Sequence, residues 1–583
     1  MTSNAPRVRL ELNWPGKDQF LLTPADETGA PVWVSREHPA AHEVRLAELG
    51  SSHGEVNELR PYQDNLLFTG DSRDVLRILG QVPEFRREYR GKVRLVYIDP
   101  PFNTGQAFDH YDDWMEHSTW LSFMYDRLTA ILDLLTDDGS VWVHLDDAEA
   151  HRMRSLMDEV FGAGNFIADL TVEMNPKGRQ LDKFFAGSND RLLVYAKDRA
   201  KVRLQCGSKD DVNIGDFPKI ADDGRRYRYL PLRNTNKKFN PTTARTMYFS
   251  IHGNPRTGKV AMEPFEDSEP IWPVFGDLTP AVWRWSPPKV VAQAEELECR
   301  DVRGGQGVRA DIFQRDFLHD DRTKKLKTVW MSQDTGSSDE GKRELKALGL
   351  NGFDTPKPER LLKRIIEIAT VRGDIVVDVF GGSGSTAAVA HKIGRRWVTA
   401  EIKRSIVDQF MRPRLTKVVD GIDDGGVTKM AGWTGGGGFR TVSVAPSMYA
   451  VTPIGILLDD WAVSTRFARA VAGQLGFDWD PHEPFCGRRG RMRLAVFDGT
   501  VGPEEIQQTV GRLADNERVT VVARAVLPGT NESLAGLAKG SRLLKAPRDL
   551  LTPSTRRSTR NANRHMTTRP YDLNSNEPRG ALT

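Results

Sequence analysis

The sequence has few cysteines and no long apolar segment. Its 583 residues include three cysteines, Cys206, Cys299 and Cys486, which stand far apart in the chain. Cysteines so few and so scattered indicate neither a disulfide framework nor a zinc module, and we expect no metal site. No run of about 18 apolar residues is present, and no N-terminal apolar stretch precedes a cleavage site. We therefore expect a soluble, cytoplasmic protein.

An excess of charge of one sign is also missing. The chain has 82 Lys and Arg against 79 Asp and Glu, a formal net charge of +3. This balance neither requires nor excludes nucleic acid, because local patches matter more than the sum. Hydrophobic residues make up 39% of the chain, so a sizeable core is possible, and the length suffices for three or four domains.

A complete P-loop is lacking as well. Gly253–Lys259 reads GNPRTGK and matches the first seven positions of that motif, but the eighth is Val260. The hydroxyl that would bind magnesium is therefore absent. The flanking residues alternate as in a β-hairpin and no helix follows. We interpret this segment as a hairpin and expect no ATPase motor in the chain.

The stretch that carries most information is Leu95–Gly105, which reads LVYIDPPFNTG. An apolar run, Val93–Ile98, ends abruptly at Asp99, and two prolines stiffen the backbone beyond it. In open α/β sheets, ligands bind at this end of a strand. Taken alone, the motif is equally typical of an ordinary strand-terminating turn.

Strands alternate with helices over 61–200 and again over 356–420, which predicts an α/β fold with a mostly parallel sheet. The predicted helices include Ser118–Leu135 and Pro358–Thr370, both with apolar residues at helical spacing. The remaining predicted segments are an N-terminal extension (1–60), an irregular domain (201–355), a Gly-rich linker (421–440), a small C-terminal α/β domain (441–551) and a disordered tail (552–583).

The irregular domain contains a basic run, Arg225–Lys238 (RRYRYLPLRNTNKK), with two tyrosines and no acid. Cations interleaved with aromatics and amides suit contacts with phosphates and bases. The same composition fits a solvated domain whose aromatics are core. The candidate DNA-binding residues are Arg225, Arg226, Arg228, Arg233, Lys237 and Lys238.

A second motif, Val376–Thr386 (VVDVFGGSGST), is a strand that feeds a glycine-rich turn and then a helix. The glycines let backbone approach a ligand closely, and the helix N-terminus offers free N–H groups. Glu401 follows about twenty residues later at the end of the next strand, where a carboxylate can accept both hydroxyls of a ribose. The ribose of NAD or of S-adenosylmethionine (AdoMet) would provide those two hydroxyls to Glu401. The third glycine of dinucleotide binders is missing, and AdoMet, which has no pyrophosphate, does not need it.

Together, DPPFNTG and DVFGGSG resemble the amino-methylating DNA methyltransferases, which transfer methyl from AdoMet to adenine N6 or cytosine N4. The order of the motifs, with an irregular segment between them, is similar to the β class, in which that segment is the target-recognition domain. The resemblance implies a Rossmann-like AdoMet fold and catalytic roles for Asp99, Pro100, Pro101 and Phe102. It implies AdoMet binding by Asp378, Phe380, Gly381, Gly382, Ser383, Gly384, Glu401, Asp71 and Lys357. The family more often has tyrosine at 102 and alanine at 381.

Further segments, among them NDRLLVYAKD and TPKPERLLKRIIEIAT, resemble the Mod (modification) subunits of type III restriction–modification systems. That resemblance implies methylation of adenine N6 on a base flipped out of duplex DNA, a homodimer, and a separate ATP-dependent Res (restriction) subunit. A stand-alone methylase fits equally well. The alternatives are a cytosine-N4 enzyme, a non-catalytic DNA-recognition subunit for a partner nuclease, and an NAD-dependent dehydrogenase, which the missing third glycine disfavours.

Overall fold

The computed structural model describes residues 11–22, 32–36, 38, 41–103, 115–179, 183–208, 214–304, 307–319, 324–452 and 455–551. They form two compact units, one from the chain up to Leu204 and from Thr328 onward, the other from Gln205–Lys327. The predicted tail, 552–583, lies outside the described residues. So does the start of the predicted N-terminal extension, 1–10.

The first unit is built on a ten-stranded sheet. Its strands are β1 (Ala47–Gly54), β2 (Asn65–Thr69), β3 (Val93–Ile98), β4 (Leu135–Leu145), β5 (Phe166–Glu173), β6 (Asn189–Ala196), β7 (Val329–Trp330), β8 (Ile375–Asp378), β9 (Arg396–Glu401) and β10 (Gly438–Val444). Their order across the sheet is β7-β5-β6-β4-β3-β8-β9-β2-β10-β1. Six of the nine pairings are parallel, so the predicted α/β fold with a mostly parallel sheet is confirmed.

The centre of the sheet joins the two segments that the sequence separates. Strand β3, from the first segment, pairs in parallel with β8, from the second, with Val96 opposite Val377. Both strands are buried on both faces, as their continuous apolar runs predict. Parallel neighbours end at the same edge of a sheet, so Asp99, directly after β3, and Asp378, the last residue of β8, lie at one edge.

Helices pack against this sheet. They include α1 (Ser72–Gln81), α2 (Pro83–Tyr89), α3 (His117–Leu134), α4 (Ala150–Met157), α5 (Ser332–Thr335), α6 (Ser338–Ala347), α7 (Glu359–Ala369), α8 (Ser385–Lys392) and α9 (Arg412–Val419). The helices predicted at 118–135 and 358–370 are α3 and α7, displaced by one residue at each end. The apolar stripe of α7, which includes Leu361, Ile365 and Ile366, is buried.

Two segments that were expected to be loosely attached belong to the sheet. Within the predicted extension, β1 forms the sheet edge and pairs antiparallel with β10. The predicted Gly-rich linker, 421–440, contains a short helix, Thr428–Ala431, and the start of β10. A Cβ on Gly438 would lie 2.5 Å from the carbonyl oxygens of His53 and Glu55. Glycine is present there because two backbones approach closely, and the linker interpretation is wrong for this stretch.

The second unit, Gln205–Lys327, is more regular than predicted. It contains a four-stranded antiparallel sheet in the order Lys219–Ile220, Arg226–Pro231, Gly307–Phe317 and Leu297–Gly304. A three-stranded sheet (Val260–Ala261, Ile251–Gly253, Glu269–Ile271) and a helix, Pro287–Ala292, accompany it. Prolines and mixed charges obscured these short strands in the sequence. The predicted domain extended to 355, but 328–355 belongs to the first unit, where it forms β7, α5 and α6.

The structure confirms the hairpin predicted in this unit and decides between the two interpretations that the sequence left open for its aromatics. Strand Ile251–Gly253 pairs antiparallel with Val260–Ala261, so GNPRTGK is the hairpin that the sequence indicated. Trp283 and Trp285 are 1% and 5% exposed and lie in the core of the unit, so these aromatics are structural.

A five-stranded sheet follows β10 within the first unit. Its strands are Asp478–His482, Phe485–Arg489, Met492–Val501, Arg518–Val526 and Arg542–Lys545, in that order. The helices Ser464–Leu475, Pro503–Val510 and Thr530–Leu537 accompany it. These strands and helices lie within the segment that was predicted as a small C-terminal α/β domain, 441–551. Of the helices in the described part of the chain, none is both long enough and apolar enough to span a bilayer.

Candidate functional site

The loop after β3 is held rigidly at several points. Pro100 is buried, and the Pro101 carbonyl accepts a hydrogen bond from Trp120 Nε1 at 2.9 Å. Asn103 has a φ of 60°, a left-handed conformation that Asn tolerates better than most residues. Its Nδ2 donates to Glu149 Oε1 at 2.7 Å, and the Glu149 side chain is fully buried. These contacts fix the course of the backbone from Asp99 to Asn103.

The Asp99 carboxylate has one occupied and one open oxygen. Its Oδ2 accepts a hydrogen bond from Lys357 Nζ at 2.6 Å. Its Oδ1 is buried and has no hydrogen-bond partner among the described residues. A buried acceptor without a partner is costly unless a ligand supplies the donor. Asp99 can therefore receive an N–H or O–H group from a bound molecule.

Lys357 connects Asp99 to the aromatic residue of the same loop. Its side chain is 9% exposed, and its ammonium lies 5.0 Å from the centre of the Phe102 ring. That distance allows a cation–π contact. Lys357 lies just before α7, in the second α/β segment. A residue far along the chain thus contacts both the Asp99 carboxylate and the Phe102 ring.

The glycine-rich loop after β8 lies beside this loop and has little room for side chains. Gly382 and Gly384 have φ values of 49° and 80°, which favour glycine. A Cβ on Gly381 would lie 2.2 Å from Thr399 Oγ1 and 2.6 Å from Met411 Cε. The backbone itself therefore forms the surface of the loop, as a close approach to a ligand requires.

Glu401, at the end of β9, is tied to the glycine-rich loop. Its Oε2 accepts from the Gly382 N–H at 3.2 Å, and its Oε1 accepts from the Lys403 N–H at 3.0 Å. A carboxylate has about four acceptor sites, so both oxygens can still accept hydroxyl groups. Two hydroxyls of a ribose fit this arrangement.

Both loops line one cavity of about 320 Å³ in the first unit. Of the sequence-predicted catalytic and cofactor residues, all but Gly384 line it. They are Asp71, Asp99, Pro100, Pro101, Phe102, Lys357, Asp378, Phe380, Gly381, Gly382, Ser383 and Glu401. Gly384 instead occupies the N-cap position of α8.

The cavity is rich in carboxylates. Burial, reinforced by repulsion from Asp99 and Glu401, raises the pKa of Asp378 to about 7, although Thr386 and the Phe380 N–H donate to it. Asp71 behaves differently. Burial alone would raise its pKa, but Arg127, whose Nη2 lies 2.7 Å from Asp71 Oδ2, and Arg73 hold that pKa below its ordinary value. A cationic ligand would complement this cavity.

Asp71 also has a structural role. It is the N-cap of α1, and its side chain accepts from the Arg73 N–H at 2.9 Å. Asp71 therefore both caps a helix and lies on the cavity wall.

Sequence reasoning missed part of the cavity lining. Phe353, Asp354, Thr355 and Pro356 lie on it, although they fell within or beside the segment predicted to be irregular. Phe123, on α3, packs against Phe380 with ring centroids 6.1 Å apart and also lines the cavity. No motif in the sequence singled out Phe123.

The candidate DNA-binding residues lie in the second unit, and most are paired with carboxylates. The ion pairs are Arg225–Asp223 (2.7 Å), Arg228–Asp316 (2.8 Å), Arg233–Asp311 (3.5 Å) and Lys237–Asp277 (2.8 Å). Arg226 and Lys238 are exposed, and within the described ranges neither has an ion pair. The run of cations is thus partly neutralised, by Asp223 just before the run and by Asp277, Asp311 and Asp316, which are distant in sequence.

Comparison with known proteins adds independent evidence. Residues 93–412, more than half of the chain, match the sequence model of the family N6_N4_Mtase, described as DNA methylase. The match begins at β3 and continues past the glycine-rich loop, so it includes both loops of the cavity.

Individual relatives agree with this match. A Haemophilus influenzae protein described as "probable type III restriction-modification enzyme HindVI Mod subunit" is 29% identical over 436 residues, 67% of this chain and 56% of that protein. The chain thus spans little more than half the length of this relative. The type II methyltransferase M1.MboII from Moraxella bovis is 44% identical over 324 residues, 54% of this chain and 87% of that protein.

Among solved structures, PvuII DNA methyltransferase (cytosine-N4-specific) matches with a TM-score of 0.33 and 13% identity, over 66% of this chain and 94% of that one. At so low a TM-score the match does not bear on function.

Proposed function

The chain belongs to the N6_N4_Mtase family of DNA methylases, and from this premise we propose that it transfers methyl from AdoMet to the N6 amine of adenine in duplex DNA. The observation that carries the proposal is Asp99, which lines the same cavity as the glycine-rich loop and Glu401 and whose Oδ1 has no hydrogen-bond partner among the described residues. An acceptor for an amine and a binding surface for a nucleoside-like cofactor are thus brought together.

The residues present fit AdoMet. The glycine-rich loop offers bare backbone, Glu401 can accept the ribose hydroxyls, and the acidic cavity complements a cation. We assign Asp378, Phe380, Gly381, Gly382, Ser383 and Gly384 to the cofactor, with Asp71 at its adenine and Lys357 near its methionine end. When bound, AdoMet supplies an electrophilic methyl group on a cationic sulfonium.

Asp99 would make the target amine reactive. The exocyclic amine of adenine is a poor nucleophile because its lone pair is delocalised into the ring. Asp99 Oδ1 accepts one N–H, which raises electron density on nitrogen, and then takes up the proton that the amine loses. The Pro100 carbonyl can accept the second N–H, and the two acceptors together favour a pyramidal nitrogen. Orientation and electrostatics then account for the rate.

Lys357 and Phe102 would support this step. The ammonium of Lys357 fixes Asp99 through Oδ2 and so leaves Oδ1 directed at the amine. The target base must leave the duplex to reach such a site. Phe102 then offers an aromatic face on which the extruded base stacks, a contact worth about 1–3 kcal/mol.

We favour adenine because of the type III Mod relative, while the family name covers both N6 and N4 amines. The test is single-molecule sequencing of DNA from a host that expresses the gene, followed by nucleoside analysis. We expect N6-methyladenine at one recurrent sequence. N4-methylcytosine at that sequence would overturn the adenine assignment, and unmodified DNA would overturn the proposed activity.

We further propose, from the same relative, a homodimer and a separate ATP-dependent restriction subunit as partner. A stand-alone methylase is the second candidate, because the alignment covers 87% of the type II enzyme M1.MboII. Reconstitution with a candidate restriction subunit separates the two candidates. ATP-dependent DNA cleavage by the mixture supports the type III form, and no cleavage with retained methylation supports the stand-alone form.

A further inference from the structure

A buried chain of three polar side chains lies directly behind the loop that carries Asp99. Tyr97 precedes Asp99 by two residues on β3, His144 lies near the end of the neighbouring strand β4, and Asp190 lies near the start of β6. Tyr97 is 1% exposed, His144 0% and Asp190 8%. Burying three polar side chains is costly, and sequences tend to retain such groups where they serve function.

Both ring nitrogens of His144 are held. Nε2 lies 3.1 Å from Asp190 Oδ2, and Nδ1 lies 3.0 Å from the Tyr97 hydroxyl. Burial opposes ionisation of Asp190, but its hydrogen bond with His144 helps to hold the pKa of that carboxyl below its ordinary value. Because an ionised Asp190 only accepts, Nε2 donates to it, while the Tyr97 hydroxyl, which can donate or accept, holds Nδ1. The plane of the imidazole is thus fixed from both sides of the ring.

The fixed imidazole lies against the ring of Phe102. The two ring centroids are 6.3 Å apart and the planes differ by 22°, a stacked arrangement within the usual range for aromatic pairs. Lys357 Nζ lies 5.0 Å from the centroid of the same ring. Phe102 therefore contacts two groups that are themselves held by hydrogen bonds, one through Asp99 and one through Tyr97 and Asp190.

We propose that His144 is a positioning residue of the methyl-transfer site, which fixes the plane of Phe102 and thereby the orientation of the target base. The inference rests on the proposed function, since it assumes that Phe102 stacks on an extruded base. His144 acts through Phe102 alone and does not touch the reacting atoms. An extruded base that tilts presents its amine away from Asp99 Oδ1, so loss of the support lowers kcat rather than cofactor affinity.

A double-mutant cycle tests this mechanism. The variants are His144→Gln, Phe102→Ala and the pair, each measured for kcat, KM for DNA and Kd for AdoMet. We expect His144→Gln to lower kcat about ten-fold with Kd for AdoMet within about two-fold of wild type. In the Phe102→Ala background, His144→Gln should not lower kcat any further. An unchanged kcat in His144→Gln, or an equal loss in both backgrounds, would overturn the inference.

Tyr97→Phe gives a second route if His144→Gln does not fold. It removes only the hydroxyl that holds Nδ1, and we expect about a three-fold lower kcat that also vanishes in the Phe102→Ala background. Tyr195→Phe is the matched control, because Tyr195 is buried and its hydroxyl donates to Asp158 Oδ1 at 2.6 Å. An equal loss of kcat in Tyr195→Phe would overturn the inference, as would an unchanged kcat in Tyr97→Phe.

A wild-type protein that methylates no DNA contradicts the proposed function itself, and the inference with it.

Discussion

Lys357 Nζ lies 2.6 Å from Asp99 Oδ2, although 258 positions separate the two residues in the chain. The pair links the loop after β3 to the residue that precedes α7 by two positions. It also divides the carboxylate, since Oδ2 is occupied by the ammonium and Oδ1 is buried without a hydrogen-bond partner among the described residues. In the proposed reaction, a substrate amine meets an acceptor whose direction is already set, which is what a transition state with developing charge requires.

Lys357→Met should lower kcat by at least about ten-fold, because the Asp99 carboxylate loses the cation that fixes it. Steady-state methylation kinetics measure the effect, and AdoMet titration shows whether Lys357 also contacts the cofactor. Lys363→Met is the control, since Lys363 forms a more exposed pair with Glu367 at 2.8 Å on the same helix. A wild-type kcat in Lys357→Met would contradict the role given to this residue.

AdoMet affinity should depend on pH through Asp378. Its pKa is raised to about 7, so the carboxyl is largely protonated below that pH and must lose a proton to complement a cationic ligand. Affinity should therefore rise by up to about ten-fold per pH unit between pH 5 and 7, and level off above about pH 7. Calorimetric titration with AdoMet between pH 5 and about pH 8 measures this affinity.

The matched variant for this pH dependence is Asp378→Asn, which cannot ionise. We expect weaker binding with a flat pH profile between pH 5 and 8. A profile in Asp378→Asn as steep as that of wild type would assign the titration to another group.

Gly381→Ala should weaken AdoMet binding by about ten-fold or more, because the new Cβ would lie 2.2 Å from Thr399 Oγ1 and must displace the loop. Thr399→Ala removes that atom and should restore part of the affinity in the double variant. Gly499→Ala serves as control, since a Cβ there meets nothing within 4 Å. Wild-type affinity in Gly381→Ala would show that the loop has more room than its geometry indicates.

Arg226 and Lys238, which form no ion pair with any residue that the structure describes, should contribute more to DNA binding than the paired cations of the basic run. Replacing Arg226 and Lys238 together with Ala should reduce the slope of log K against log salt by about two, if each contacts one phosphate. Replacing Arg225 and Lys237, which form ion pairs with Asp223 and Asp277, should change it less. Fluorescence anisotropy over a range of salt gives both slopes, and the reverse order would contradict the assignment.

Much of the fold could be predicted because its elements carry local signals. Apolar runs at strand length and stripes at helical spacing identified β3, α3, α7 and β8 to within a residue or two. The two motifs at the ends of β3 and β8 contain nine of the twelve predicted residues that line the cavity, because parallel strands end at one edge of a sheet.

The remainder depends on contacts that a linear pattern does not encode. The glycine-rich segment before β10 has the composition of a flexible linker. Only the structure shows that the backbones of His53 and Glu55 approach Gly438 too closely for a side chain there. The acids that neutralise Arg228 and Arg233 come from a strand some eighty residues away. Likewise, the Lys357–Asp99 pair and the Tyr97–His144–Asp190 chain depend on sheet order.

The most direct test of the account is transfer of a labelled methyl group from AdoMet to duplex DNA by the wild-type protein and by Asp99→Ala, with AdoMet binding measured in parallel. We predict N6-methyladenine as the product of the wild type, and at least about a thousand-fold lower transfer by Asp99→Ala with AdoMet still bound. Methyl transfer by Asp99→Ala at a rate near that of wild type would contradict the central role of Asp99.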